Sequence, residues 1–371
     1  MKLAFLALIC LTAQVSAQAD GARLPPKVVT SPGTEYADEG RCFQGIPGIE
    51  RAANGRLWAT WYGGGFGEDK YNYVMLATSS DDGKTWSRPK LIIDPDGDGP
   101  CRAYDPCLWH DPQGRLWLFW SQRDKSVQMW GMVTENSGVE DPKWSTPRLV
   151  QPGIMLNKPA VLPSGEWLMP VATWKRDDSS KVVLSKDNGA SFSLLGAANI
   201  PDPKDRNCDE HIIVPRTDGS LWMLVRTRYG IGQSMSADAG KTWSPVGPSA
   251  LAHTASRFFI RRLKSGKLLL VKHGNMDEKT PTRSHLRAFL SDDDGRTWHG
   301  GLLIDEREKV TYPDAVEGPD GTIHLIYDLG RNRENQILMA VFTEEDVAKG
   351  EWSASSRQRV LVNQATGKRT K

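Results

Sequence analysis

Acids, bases, arginines and tyrosines stand just ahead of six similar turns along this sequence. Carboxylates and imidazoles transfer protons, arginines bind carboxylates through paired hydrogen bonds, and a tyrosine beside a base can act as a nucleophile. The residues in these segments are Arg41, Gln44, Gly45, Arg102, Tyr104, Asp105, Asn157, Lys158, Asp209, Glu210, His211, Arg257, Tyr312 and Asp314. This set predicts acid–base chemistry on a charged ligand, provided that the fold brings the six segments together.

Each segment is followed by a polar residue, a glycine and a short apolar run, which is typical of a hairpin turn that leads into a strand. The glycines lie 47 to 59 residues apart; they are Gly55, Gly114, Gly165, Gly219, Gly266 and Gly321. Six such units, with no long helical pattern between them, predict an all-β fold: a six-bladed β-propeller of four-stranded antiparallel blades.

A second repeat, S-x-D-x-G-x-T-W, runs in phase with these turns. It covers residues 79–86, 236–243 and 291–298, with a weaker copy at 185–192, and Trp144 and Trp352 stand at the equivalent place in two other units. The aspartate can accept hydrogen bonds within its own turn, the glycine can take a positive φ, and the tryptophan can bury a large face between units. We therefore assign this box, in the turn before each last strand, to the fold and not to chemistry.

In a propeller, the innermost strands surround the central axis, so the loops that lead into them meet at one mouth. Charged groups that converge in a concave mouth are the default hypothesis for a binding site. The polar side chains described above are therefore predicted to form a ring around one binding site.

Composition excludes some classes of partner. The 371 residues include 35 Gly, 23 Pro and 14 Trp, which suits one large domain rich in turns, and the formal net charge is only +2. Because the basic residues are scattered, no nucleic-acid partner is expected. No cofactor is expected, and the absence of C-x-x-C or clustered histidines argues against a metal site, although a structural calcium stays open.

The N-terminus is typical of an export signal. Lys2 precedes an apolar run and then Ala17, a small-residue cleavage site, and the run is too short for a membrane span. The expected organisation is a signal peptide at 1–17, an irregular arm at 18–40 and a propeller at 41–371, in a protein that is secreted or periplasmic. Export permits disulfides, and Cys42, Cys101, Cys107 and Cys208 allow three pairings.

The order of these features resembles the sialidase (neuraminidase) superfamily, whose members carry the same Asp-box (BNR) repeats. The resemblance covers nearly the whole mature chain. The matching segments are Gly45-Ile46-Pro47, Glu68-Asp69, Glu210 with Asp218-Gly219 and Arg226, Arg283 eight residues before Ser291, and Tyr312 with Pro319-Asp320-Gly321, Tyr327 and Asp328.

The resemblance implies a retaining exo-glycosidase that removes a terminal acidic sugar from a glycan. Tyr312 would be the nucleophile, Glu210 its base, and Asp69 or Glu68 the acid. A neutral tyrosine suits an anionic substrate because it avoids like-charge repulsion, and sialidases are the tyrosine exception among retaining glycosidases. The predicted substrate-binding residues are Arg226, Arg283, Arg41, Lys158, Arg257, Asp105, Asp314 and Asp328.

One departure affects the substrate. Gly45 stands where the family has the first arginine of its carboxylate-binding triad, and Arg41, Lys158, Arg257 or Arg102 could supply the missing cation. Two alternatives therefore stay open. One is a hydrolase or lyase for another uronate-containing polysaccharide that uses His211, His273 or Tyr312 as acid or base; the other is a non-catalytic propeller that binds glycan or protein.

Overall fold

The structure is a computed structural model that describes residues 19–97, 99–173 and 179–368. These residues form six antiparallel sheets, one for each predicted unit, so the expected all-β propeller is confirmed. The predicted signal peptide, residues 1–17, lies entirely outside the described residues. The one α-helix within these ranges, α1 (Glu344–Lys349), precedes the last strand and begins with a capping box at Thr343.

The strands follow the chain blade by blade. Blade one contains β2 (Gln44–Arg51), β3 (Leu57–Gly63), β4 (Tyr73–Ser79) and β5 (Leu91–Asp94), with β1 (Lys27–Val29) paired to β5 as a fifth strand. Blade two contains β6 (Arg102–His110), β7 (Leu116–Arg123), β8 (Val127–Thr134) and β9 (Arg148–Pro152). Blade three contains β10 (Ala160–Val161), β11 (Trp167–Ala172), β12 (Ser179–Ser185) and β13 (Ser193–Asn199).

The second half repeats the arrangement. Blade four contains β14 (Arg206–Pro215), β15 (Leu221–Thr227), β16 (Ile231–Ser236) and β17 (Gly247–Pro248). Blade five contains β18 (Phe259–Arg262), β19 (Leu268–His273), β20 (Leu286–Ser291) and β21 (His299–Asp305). Blade six contains β22 (Val310–Glu317), β23 (Ile323–Leu329), β24 (Gln336–Phe342) and β25 (Arg357–Gln364).

The ring closes through contacts between innermost strands. Strand β2 contacts both β6 of the next blade and β22 of the last blade, and β18 likewise contacts β14 and β22. Apolar side chains fill the space between blades; for example, Leu168 and Val182 of blade three pack with Leu221 and Met223 of blade four. Burial of these faces against their neighbours is what holds each sheet in the ring.

The box turns lie between the third and fourth strands, as predicted. In blade one, the Asp81 carboxylate accepts hydrogen bonds from the Thr85 amide at 2.9 Å, the Thr85 hydroxyl at 2.6 Å and the Ser79 hydroxyl at 2.8 Å. Gly83 takes a φ of 75° and packs against Met339 of blade six, where a Cβ would lie 2.3 Å from the Met339 methyl carbon. The box therefore closes its own turn and seats it on the neighbouring blade.

The N-terminal arm joins the two ends of the ring. Arg41 is fully buried; its guanidinium donates to the Tyr36 carbonyl at 2.7 Å, to the Asn363 side chain at 2.9 Å and to Asp38. The Thr366 amide also donates to the Asp38 carbonyl at 2.8 Å. Residues 36–41 thus bind the segment around 363–367, and we call this contact the terminal clasp.

The four cysteines within the described residues are all unpaired. Cys42, Cys101 and Cys107 are buried, and Cys208 is half-buried. None of the three pairings that the sequence allowed is formed among them.

Candidate active site

Four innermost strands are bulged at the mouth. The pairing register shifts between Gly45 and Gly48, Tyr104 and Cys107, Asp209 and Ile212, and Thr311 and Asp314. Beside these shifts, non-glycine residues take a positive φ: Ile46 (59°), Asp105 (48°), Asp209 (62°), Glu210 (43°) and Tyr312 (54°). Left-handed backbone is costly for such residues, and bulges that redirect side chains concentrate at functional sites.

The bulges of blades four and six bring Glu210 and Tyr312 into contact. The Tyr312 hydroxyl donates to Glu210 Oε1 at 2.8 Å. Arg226, on β15, places Nη1 at 2.8 Å from both oxygens of Glu210 and 3.1 Å from the Tyr312 hydroxyl. A phenol, a carboxylate and a guanidinium therefore form one buried cluster, in which the carboxylate is positioned to accept the phenolic proton.

The electrostatics of the cluster keep Glu210 ionised. Burial alone would raise its pKa, but the charge and hydrogen bonds of Arg226, with the hydrogen bond from Tyr312, bring the pKa of Glu210 below its ordinary value. Burial and the Glu210 charge raise the pKa of Tyr312, although Arg226, Arg331 and Arg283 oppose the rise. The resting pair is therefore a carboxylate beside a neutral phenol.

Two more guanidiniums flank the Tyr312 ring. The Cζ atom of Arg331 lies 4.7 Å from the ring centroid, and that of Arg283 lies 6.0 Å from it. Arg331 donates to Glu68 at 2.8 Å and lies 3.8 Å from Asp328. For Arg283, the only hydrogen-bond acceptor among the described residues is the Ala255 carbonyl, at 3.2 Å. Arg283 therefore has no carboxylate partner in the described part of the chain.

A cavity of about 450 Å³ opens at the mouth. Its lining includes Arg283, Arg331 and Lys309, the acids Glu68 and Glu308, and Thr311, the residue before Tyr312. Arg283 and Arg331, which flank the Tyr312 ring, therefore both face this cavity. Burial, and after it the charges of Arg226 and Arg331, lower the pKa of Arg283.

The candidate proton donors differ in their surroundings. Asp69 accepts hydrogen bonds from the amides of Phe66 and Tyr71, both at 3.0 Å, and so stabilises its own loop. The Glu68 side chain is half exposed and paired with Arg331. Asp105 is buried, and burial together with the charges of Glu68 and Glu210 raises its pKa to about 7.

Other predicted residues lie in different networks. Lys158 is buried between Glu50 Oε1 at 2.7 Å and Asp314 Oδ2 at 3.2 Å. Its ammonium group is therefore paired with these two carboxylates inside the ring. Arg257 donates to Asn157 Oδ1 at 2.8 Å and to the Leu156 carbonyl at 2.9 Å. Arg41 is held in the terminal clasp, so none of these three cations stands beside Tyr312.

The histidines named as alternative acids or bases are also engaged elsewhere. His211 Nε2 hydrogen-bonds the Lys181 carbonyl at 2.8 Å, and His273 Nε2 the Val310 carbonyl at 2.7 Å. Burial lowers the pKa of each to about 4, so both are neutral at pH 7. Asp328, by contrast, lies close to the Tyr312 cluster: it accepts from the Ile46 amide at 2.8 Å and lies beside Arg331.

Arg331 is the site residue that the sequence reasoning missed. It follows β23 by two residues, outside every motif, and reaches the mouth from blade six. The available signal was indirect: an arginine lies three residues after Asp328, while Gly45 stands where an arginine was expected.

Known proteins share this fold. Residues 55–325 match the family described as BNR repeat-like domain. The Hadza microbial sialidase Hz136 is 17% identical, with a TM-score of 0.68 over 84% of this chain and 67% of that one. The intramolecular trans-sialidase from Ruminococcus gnavus is 15% identical, with a TM-score of 0.66 over 90% of this chain and 99% of that one.

A Dyadobacter fermentans protein of unknown function is 18% identical, with a TM-score of 0.64 over 80% of this chain and 92% of that one. No curated protein sequence matches the chain significantly. None of the helices in the described ranges combines the length and apolar character needed to cross a bilayer. The chain belongs to the BNR repeat-like domain family, and its six-bladed propeller fold is similar to that of these sialidases.

Proposed function

We propose that this protein is an exported retaining exo-glycosidase that removes a terminal acidic sugar, sialic acid or a related one, from glycans. The observation that carries the proposal is the contact of the Tyr312 hydroxyl with Glu210 at 2.8 Å, with Arg226 within hydrogen-bond distance of both. Three guanidiniums around one phenol support an anionic substrate, since arginine binds carboxylates strongly.

The proposed reaction has two steps. Glu210 takes the phenolic proton while the Tyr312 oxygen attacks the anomeric carbon; the glycosidic bond breaks, and the leaving oxygen takes a proton from an acid. Water then attacks the same carbon and gives its proton to the conjugate base of that acid. The bond between sugar and Tyr312 breaks, and the phenolate recovers its proton from Glu210.

The acid is the open role. The sialidase resemblance implies Asp69 or Glu68, while burial and a pKa of about 7 add Asp105, which is partly protonated at neutral pH. An acid is needed most when the leaving group is a poor one. Asp69→Asn, Glu68→Gln and Asp105→Asn should therefore be compared on an aryl glycoside and on an unactivated sialyl oligosaccharide. The donor is the residue whose loss reduces kcat/KM at least tenfold more on the oligosaccharide.

The decisive test is release of fluorophore from an aryl α-glycoside of N-acetylneuraminic acid by wild type and Tyr312→Phe. Loss of the nucleophile should reduce kcat by about 10³-fold or more while thermal stability and ligand binding persist. Equal turnover in both proteins would remove Tyr312 from the mechanism. Turnover of uronate polysaccharides alone, with an unsaturated product, would favour the lyase alternative.

A further inference from the structure

The backbone at Gly45 does not require glycine. Its φ lies outside the left-handed region, so any residue could adopt the conformation. The space around it is what excludes a side chain. A Cβ at this position would lie 2.2 Å from Cδ and 2.4 Å from Cγ of Arg331, and 2.8 Å from Asp328 Oδ2. The Arg331 side chain thus packs directly against the backbone of Gly45, in the space that a side chain at position 45 would fill.

Two carboxylates hold the Arg331 guanidinium at the mouth. Asp328, fully buried, lies 3.8 Å from Nε and is itself anchored by the Ile46 amide and by the Thr311 hydroxyl. Glu68, half exposed, accepts from Nη1 at 2.8 Å. The Asp328 contact fixes the guanidinium from behind, while the Glu68 contact shows that its open edge accepts a carboxylate.

The three guanidiniums surround the same phenol from different blades. Arg226 comes from blade four, Arg283 from the loop before β20 in blade five, and Arg331 from the loop after β23 in blade six. The Cζ atom of Arg331 lies 4.7 Å from the ring centroid and that of Arg283 lies 6.0 Å from it, and both residues line the cavity at the mouth. Arg226 contacts the Tyr312 hydroxyl instead, at 3.1 Å. A carboxylate in that cavity would therefore meet Arg283, which has no acidic partner among the described residues, and Arg331 together.

We propose that Arg331 provides the third guanidinium of the anion site, in the space that Gly45 leaves open. The inference rests on the proposed function for the identity of the ligand. The cation expected on the first strand of blade one is supplied instead by blade six. The residues at positions 45 and 331 depend on each other, because a side chain at position 45 would overlap the Arg331 side chain.

The test measures equilibrium binding by calorimetry in the Tyr312→Phe background, so that no turnover occurs. The probes are the methyl α-glycoside of N-acetylneuraminic acid and its carboxamide, which lacks the charge. Arg331→Ala should weaken binding of the acid about 10- to 100-fold, the range for a charged hydrogen bond, and leave the amide within about twofold. Arg296→Ala, which removes an exposed arginine in the box turn of blade five, is the matched control and should change neither affinity.

A relocation variant tests the pairing of the two positions. Gly45→Arg combined with Arg331→Gly should recover at least tenfold of the affinity that Arg331→Ala loses, whereas Gly45→Arg alone should be destabilised by the clash. Circular dichroism and thermal melts establish that each variant is folded.

Unchanged affinity for the acid in a folded Arg331→Ala variant, with a loss in Arg283→Ala, would overturn the inference and leave the proposed function intact. Failure of the parent to bind the acid would also overturn it. The proposed function would then depend on the separate turnover measurement, which is whether wild type, but not Tyr312→Phe, releases the fluorophore from an aryl glycoside of an acidic sugar.

Discussion

At the scale of single residues, the mouth brings carboxylates close enough to repel one another in the folded state. Asp105 is the clearest case, because its carboxyl lies buried near Glu68 and Glu210 with no hydrogen bond to it among the described residues. Its pKa rises from an ordinary 3.8 to about 7, first through burial and then through these two charges. The folded chain therefore binds a proton that the unfolded chain has already released over this interval.

The resulting prediction concerns stability and pH. The contribution of Asp105 to folding becomes less favourable as the pH rises from about 4 to 7 and is fully unfavourable above that. Asp105→Asn should therefore raise the thermal midpoint by a few degrees at pH 8 and much less at pH 4. Differential scanning calorimetry at both pH values checks this, with the exposed Asp277→Asn as control. An equal effect of Asp105→Asn at both pH values would contradict the assignment of the charge.

The sequence predicted part of this cluster and missed part of it for physical reasons. Glu210 and Tyr312 could be grouped because each stands just ahead of a blade turn, and the resemblance to the sialidase superfamily added Arg226 to them. Arg331 could not be added to this group from the sequence, because the aliphatic part of its side chain crosses from blade six to blade one and packs over Gly45. The only sequence feature that points to Arg331 is the absence of a side chain at Gly45, and a glycine alone does not indicate which residue fills the space beside it.

At the scale of elements, the box turns were predictable because their chemistry is local. All the hydrogen-bond donors to the Asp81 carboxylate named above lie within four residues of it, so the same contacts recur wherever the motif recurs. The pairing of β1 with β5 was not predictable, since three residues of the arm meet a strand more than sixty positions away. The residue 18–40 segment, expected to be irregular, thus contributes a short strand to blade one.

Loss of one box should cost stability and leave the mouth unchanged. Asp81→Ala removes three hydrogen bonds, two of them from Thr85, and should lower the thermal midpoint by roughly 2–5 °C at pH 7. The box bonds bring the pKa of Asp81 to about 2 despite its partial burial. Its contribution is present above about pH 4 and is lost as the pH falls toward 2, so the difference between variant and wild type should shrink there.

Thermal melts of Asp81→Ala and of Ser80→Ala, an exposed neighbour in the same box, give the comparison. A midpoint for Asp81→Ala equal to that of Ser80→Ala would show that the box bonds contribute nothing measurable. A change in KM would show that the turn is coupled to the mouth.

At the scale of the whole molecule, the ring is closed by the terminal clasp as well as by the contact of β2 with β22. Arg41 is central to the clasp, and it is fully buried with acceptors on both sides of the junction. Removing a buried charged donor leaves those acceptors unsatisfied, which costs about 2–4 kcal/mol.

Arg41→Ala should therefore lower the free energy of unfolding by about that amount and leave KM for an acidic substrate within twofold. Denaturant unfolding and steady-state kinetics, measured on the same preparation, separate the two effects. Arg331→Ala is the natural comparison, because it should raise KM for the acidic substrate severalfold where Arg41→Ala does not. A marked rise in KM in Arg41→Ala would instead assign Arg41 to the substrate site.

Arg283 has a consequence for handling the protein. Its guanidinium faces the cavity beside Tyr312 without an acidic partner in the described residues, so any small anion in the buffer will compete for it. Because the molecule as a whole carries a formal charge of only +2, this competition will be local to the mouth and will not reflect general screening. Sulfate or phosphate should therefore inhibit more strongly than chloride at equal ionic strength, and assays in phosphate buffer will underestimate the affinity for acidic glycans.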